Sequence, residues 1–131
     1  MKTVLITGGT GGIGTSLTKA FSEDGYFVIV THNHKTPEYL ANWLSAINIS
    51  KDRIKFISLN LNDRTEVLLE LDKLLSEHKI DVLINNAGIT SDSSFLKMSF
   101  EQWETVLDTN LKSLFSITHP VAKSMVDAGF G

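Results

Sequence analysis

The sequence predicts an α/β fold built on a doubly wound parallel sheet, and three observations carry that expectation. Four short apolar, β-branched runs alternate with longer stretches of helical period, the pattern of successive βαβ units. The runs are apolar nearly throughout, as strands covered on both faces are. The first of them passes through a glycine-rich turn directly into an amphipathic helix, so that strand, turn, helix and second strand follow within about thirty residues.

The strands are expected at Thr3 to Thr7, Phe27 to Val30, Ile54 to Leu59 and Asp81 to Asn85. The first helix carries Ile13, Leu17, Ala20 and Phe21 on one side and stops at Gly25, a residue suited to a left-handed C-terminal position. The second opens with Thr36-Pro37, a capping hydroxyl followed by proline at the first helical position, and presents Leu40, Trp43, Leu44 and Ile47. The third opens at Asp63 with Glu66 three residues on, and is expected to bury Val67, Leu68, Leu71, Leu74 and Leu75. A long fourth helix starts at the capping box Ser99-Phe100-Glu101-Gln102 and runs through Trp103, Val106, Leu107, Leu111, Leu114, Phe115, Val121 and Met125 towards Gly129. Pro120 removes a backbone donor inside it, so a kink or local break is expected there.

Length and composition bound the function. A chain of 131 residues with 42% hydrophobic content can bury roughly two-thirds of its unfolded surface, enough for one domain spanning 1–131. The net charge of -3 lacks the basic excess of nucleic-acid or anionic-membrane binders, so neither partner is expected. No cysteine is present, which excludes disulfides and thiolate metal sites and fits a reducing, cytoplasmic setting. No signal peptide or membrane-spanning run is recognisable. His32 and His34 lack a nearby third ligand, and no metal site is expected.

The turn Thr7-Gly8-Gly9-Thr10-Gly11-Gly12-Ile13-Gly14 carries the first chemistry. A pyrophosphate needs donors that approach without side chains in the way, and glycines leading into a helix N-terminus supply free N–H groups at the positive end of a dipole. Gly9, Gly11 and Gly14 satisfy G-x-G-x-x-G, while Thr7, Gly8, Gly12 and Gly14 satisfy T-G-x-x-x-G-x-G; the second spacing from the strand is preferred. Gly8, Gly11, Gly12 and Gly14 are therefore candidate contacts to a nicotinamide dinucleotide in a Rossmann-like domain. Where such domains place an acid for the ribose of NAD, this chain has Thr31-His32-Asn33-His34-Lys35. The absence of a carboxylate before Glu38 favours the 2′-phosphate of NADP(H), with Lys35 and His32 as candidate contacts and NAD(H) as the alternative.

Two further motifs follow in order, Asn85-Asn86-Ala87-Gly88 at the end of the fourth strand and Asp108-Thr109-Asn110-Leu111 on the long helix. Small residues at the carboxyl edge of a parallel sheet let the backbone approach a ligand. Together with the glycine turn, these motifs resemble the short-chain dehydrogenases/reductases. That resemblance implies the N-terminal part of a sheet ordered 3-2-1-4. It implies cofactor contacts at Ile13, Asn60, Leu61, Asn86, Ala87 and Gly88, and makes Asn110 one member of a catalytic tetrad that holds a water in a proton relay. Within the family, the glycine turn, Asn85 to Asp92, Phe95 to Met98 and Trp103 to Leu114 are similar to acetoacetyl-CoA reductases, with 3-oxoacyl-acyl-carrier-protein reductases next. The implied reaction is NADP(H)-dependent reduction of acetoacetyl-CoA or other 3-oxoacyl thioesters, with Asp92 at the substrate mouth and an acyl-CoA or acyl-carrier thioester as partner. The arginine that carrier-protein enzymes have inside the turn is absent, and Glu38 stands where NADPH-linked acetoacetyl-CoA reductases tend to have arginine.

The family's chemistry needs a serine and a Tyr-x-x-x-Lys pair, and the 131 residues contain no such pair: Tyr26 is followed at that spacing by Val30 and Tyr39 by Trp43. The chain is read as the cofactor-binding half of a reductase, ending before the fifth strand and inactive alone; a non-catalytic dinucleotide-binding module and a non-functional fragment are the alternatives. The resemblance also implies a homotetramer using the fourth helix. Its stripe of Leu107, Leu111, Leu114 and Phe115 otherwise packs on the sheet, while the open edge of the fourth strand favours association.

Overall fold

The computed structural model describes all residues from Met1 to Gly131. Its centre is a parallel sheet of β1 (Thr3–Ile6), β2 (Phe27–His32), β3 (Ile54–Ser58) and β4 (Val82–Ile84) in the order β3-β2-β1-β4. The register pairs Ile6 with both Val30 and Ile84, so the carboxyl ends of the three strands lie level along one edge. Five α-helices complete the chain: α1 (Gly12–Glu23), α2 (Pro37–Ile47), α3 (Arg64–Glu77), α4 (Phe100–Leu107) and α5 (Ser113–Ala128). None is long and apolar enough to cross a membrane.

Strand side chains alternate between faces, and the alternation divides the core in two. Leu5, Ile29 and Ile57 pack with Val67, Leu71 and Leu74 of α3 and with Ile117 and Val121 of α5. Val4, Ile6, Val28 and Val30 pack on the other face with Leu17, Phe21, Trp43 and Leu44 of α1 and α2. Fully burying each such aliphatic side chain stabilises the fold by roughly 1.5–3 kcal/mol. Burial on both faces holds for β1 but not for the edge strand β4, whose three residues are all half-buried.

Local signals placed most helix ends. Thr36 accepts from the Tyr39 amide, Asp63 from that of Glu66, and Ser99 forms the capping box with Gln102. At Gly25 (φ 89) the Tyr26 N–H bonds back to the Phe21 carbonyl. The two rings meet edge to face at 5.1 Å, the apolar contact that accompanies this kind of helix end.

Four expectations need correction. The β-region of the second run extends beyond Val30 to His32, because Thr31 and His32 pair with Ile57 and Ser58 of the neighbouring strand. On α1, Ile13 is 75% exposed and Ala20 is exposed, whereas Gly14 and Thr18 are buried; beside Leu17 and Phe21, the inward face uses these two small residues where the helix passes close to Gly9. The chain does not break at Pro120, which sits inside α5. The irregularity falls at Asp108–Lys112, a π-turn in which the Ser113 N–H reaches back five residues to the Asp108 carbonyl. Finally, of the two readings of the stripe Leu107, Leu111, Leu114 and Phe115, packing on the sheet does not hold, since Leu111 and Phe115 are 60% and 63% exposed. The π-turn inserts one residue into the helical register, and the inward face is instead Thr109, Ser113, Ser116, Ile117 and Val121.

Candidate cofactor site

A cleft of about 660 Å³ opens at the carboxyl edge of the sheet, between the ends of β1, β2 and β4. This is where parallel α/β sheets bind ligands, since the strand order reverses there and helix N-termini converge. Gly8, Gly11, Gly12, Ile13, Gly14, Lys35, Asn60, Leu61, Asn86, Ala87 and Gly88 all line it. Asp92 is exposed and lies outside the lining, and Asn110 lies one layer behind it.

The glycine turn is held by threonines. The Gly8 N–H donates to Thr31 Oγ1 at 3.1 Å, Thr18 Oγ1 donates to the Gly9 carbonyl at 3.0 Å, and the Gly11 N–H closes on the Gly8 carbonyl at 3.1 Å. Gly8 adopts φ 64, and a Cβ on it would lie 3.0 Å from Ala87 Cα. Gly12 differs, because a Cβ there would meet nothing within 4 Å. Gly12 opens onto empty space that a ligand can enter. The N-terminus of α1 has no side-chain cap and no acid in its first turn, unlike α2, α3 and α4, so its first N–H groups point at the cleft unpaired. Free donors, a positive dipole end and absent side chains together fit a pyrophosphate.

Thr7 and Asn86 join the ends of β1 and β4. Thr7 Oγ1 accepts from the Asn86 and Ala87 N–H groups, each at 3.0 Å, and the Asn86 carboxamide donates to the carbonyls of Thr7 and Gly8. Beyond them, Asn110 clamps the loop: its Nδ2 donates to the Ile89 carbonyl and its Oδ1 accepts the Ile89 N–H, both at 2.8 Å. The π-turn that presents Asn110 also places Thr109 on the cleft, where its hydroxyl donates to Asn62 Oδ1 at 2.6 Å. Thr31, Asn62, Tyr39, Ile89 and Thr109 were not singled out from the sequence; all but Ile89 lie one or two residues from a strand or helix end, but only the tertiary packing turns them into the cleft.

At the far end, Lys35 Nζ sits 4.6 Å from the centre of the Tyr39 ring, a cation–π contact that parks the ammonium at the cleft wall. Glu38 is exposed and does not line the cleft; it stands in the first turn of α2, where an acid suits the dipole. His32 is 8% exposed and its Nδ1 accepts the Lys35 N–H at 3.1 Å. Burial, then the positive neighbours His34 and Lys35, push its pKa below the ordinary 6.5. The unfolded chain therefore takes up this proton first as pH falls. The stability that neutral His32 contributes is complete above about pH 6.5 and is lost as pH drops from there through the lower folded value. Denaturant titrations between pH 7.5 and pH 5 should show this loss, and His32→Asn, which keeps an acceptor but cannot titrate, should flatten it; an unchanged slope in the variant would refute the assignment.

Comparison with known proteins agrees with this geometry. Residues 2–131 match the family model described as short chain dehydrogenase. An acetoacetyl-CoA reductase of Acinetobacter sp. (strain RA3849) is 37% identical over 131 residues, covering 99% of this chain and 53% of that protein. A 3-oxoacyl-acyl-carrier-protein reductase of Chlamydia muridarum is 37% identical over 132 residues, covering 99% and 52%. The chain thus spans about half the length of the curated relatives it matches. Among solved structures, ElxO with NADP bound superposes with a TM-score of 0.87 at 27% identity, covering 99% of this chain and 52% of that one.

Proposed function

The chain belongs to the short chain dehydrogenase family, and we propose that its cleft holds NADP(H) for the reduction of 3-oxoacyl thioesters such as acetoacetyl-CoA. The observation that carries the cofactor is the uncapped N-terminus of α1, where Gly12 faces open space and Gly9 and Gly14 pack too closely for a side chain. The thioester substrate rests on the names of the relatives, acetoacetyl-CoA reductase and 3-oxoacyl-acyl-carrier-protein reductase.

A bound nicotinamide cofactor supplies a hydride. The residues of this chain bind and orient. N–H groups at the start of α1 take the pyrophosphate. Ala87 and Gly88 give a side-chain-poor wall, and Lys35, now over Tyr39, would hold a 2′-phosphate that no carboxylate on the cleft wall repels. Asn110 accepts one bond from Ile89 and donates one to it, so its side chain positions the loop after β4. The 131 residues contain no Tyr-x-x-x-Lys, so binding without turnover is what they should show alone.

Titration of the purified chain with NADPH and NADH, followed by cofactor fluorescence, tests the reading. NADPH should bind more tightly, and Lys35→Ala should weaken NADPH by roughly tenfold, the scale of one charge-assisted contact, while leaving NADH nearly unchanged. Equal loss for both cofactors would remove the 2′-phosphate assignment.

A further inference from the structure

Trp43 of α2 donates its indole Nε1–H to Thr15 Oγ1 at 3.0 Å. The same hydroxyl donates to the carbonyl of Gly11, the residue that caps α1 and whose own N–H closes on Gly8. The indole ring is fixed from behind by Phe56 of β3, edge to face at 5.9 Å, and Phe56 meets His32 at 6.2 Å. One hydroxyl thus accepts a hydrogen bond from α2 and donates one to the glycine turn. A threonine hydroxyl alone is a rotor with three staggered positions; the indole donor closes the one that points at α2 and so favours the one that aims at Gly11.

We propose that Trp43 and Thr15 are positioning residues for cofactor binding, tying the glycine turn, which meets the pyrophosphate, to the helix that carries Tyr39 at the adenosine end. The inference rests on the dinucleotide reading of the cleft. Its consequence is that affinity at the turn depends on one N–H located outside the cleft, since neither Trp43 nor Thr15 lines it. Without the indole donor, the Thr15 hydroxyl can leave Gly11. The first N–H groups of α1 then lose part of their preorganisation, which the ligand must restore on binding.

The test compares NADPH dissociation constants and thermal midpoints for the chain and four variants. Trp43→Phe keeps a ring against Phe56 and removes the donor; Thr15→Val removes the hydroxyl; Thr15→Ser keeps it. Trp43→Phe and Thr15→Val are each expected to weaken NADPH by about fivefold, the scale of one hydrogen bond. The double variant should be no weaker than Thr15→Val alone, because the two act through one contact, and Thr15→Ser should bind like the parent chain. Parent-like affinity in Trp43→Phe, losses that multiply in the double variant, or failure of Thr15→Ser to restore binding would each overturn the relay while leaving the dinucleotide reading intact. A parent chain that binds neither NADPH nor NADH would overturn that reading and the relay with it.

Discussion

Gly14→Ala is expected to abolish dinucleotide binding and to cost roughly 1–3 kcal/mol of stability, the range for overpacking a tight site, whereas Gly12→Ala should cost binding alone. A Cβ on Gly14 would stand 2.1 Å from the Gly8 carbonyl oxygen and 2.9 Å from both Asn86 Nδ2 and Gly9 Cα. Two of those neighbours are backbone and cannot rotate away, so α1 would have to lift from the turn. Gly12 has open space and no positive φ. Alanine there reduces the entropy of the unfolded chain and should raise stability by about 0.4–1 kcal/mol. Its methyl group would nonetheless occupy the cleft and weaken NADPH by roughly tenfold or more, equivalent to about 1.4 kcal/mol. The two glycines thus predict opposite signs in a denaturant titration and the same sign in a binding titration. A Gly12→Ala variant that binds NADPH normally would mean that the ligand does not approach this turn.

The strands, the capped helix starts and the glycine turn were legible in the sequence because each rests on local chemistry. A threonine before proline caps wherever it occurs, and a β-branched run between turns is a strand in most surroundings. The cleft was legible for a different reason. Ordered motifs at the ends of successive parallel strands must converge, because register and right-handed crossovers bring those ends to one edge. What escaped was set by packing between elements. The polar inward face of the long helix was not legible because the π-turn at Asp108–Lys112 shifts the register of everything after it, and no local residue type announces an i to i+5 bond. The polar residues Thr109, Ser113 and Ser116 went inside, and the leucines outside. Thr31 and Thr18 were overlooked as site residues for a related reason. Their hydroxyls satisfy turn groups that are distant in sequence, with the Gly8 N–H 23 residues away from Thr31, and a threonine in a strand or helix carries no mark of that duty.

Thr7→Val is expected to destabilise the chain by about 2–5 kcal/mol, and it separates a structural from a chemical reading of the motif's first residue. Thr7 is 2% exposed, and its hydroxyl oxygen collects the N–H groups of both Asn86 and Ala87. Valine has nearly the same shape, so no cavity forms and the apolar packing survives. What is lost is the acceptor for two part-buried amides, each costing about 1–3 kcal/mol when left unpaired. The cost does not stay at the strand end. Asn86 and Ala87 would be drawn towards water, which pulls the Asn86 carboxamide from the Thr7 and Gly8 carbonyls that it holds at 3.0 and 3.1 Å. The turn and the β4 loop are the two walls of the cleft, so NADPH affinity should fall together with stability. Thr7→Ser, which keeps the oxygen and gives up one methyl group, should recover most of both. If Thr7→Val unfolds within about 0.5 kcal/mol of the parent chain, the range of an ordinary surface substitution, the hydroxyl does not bind the two strand ends together, and the shape of the cleft must be set by the glycines alone.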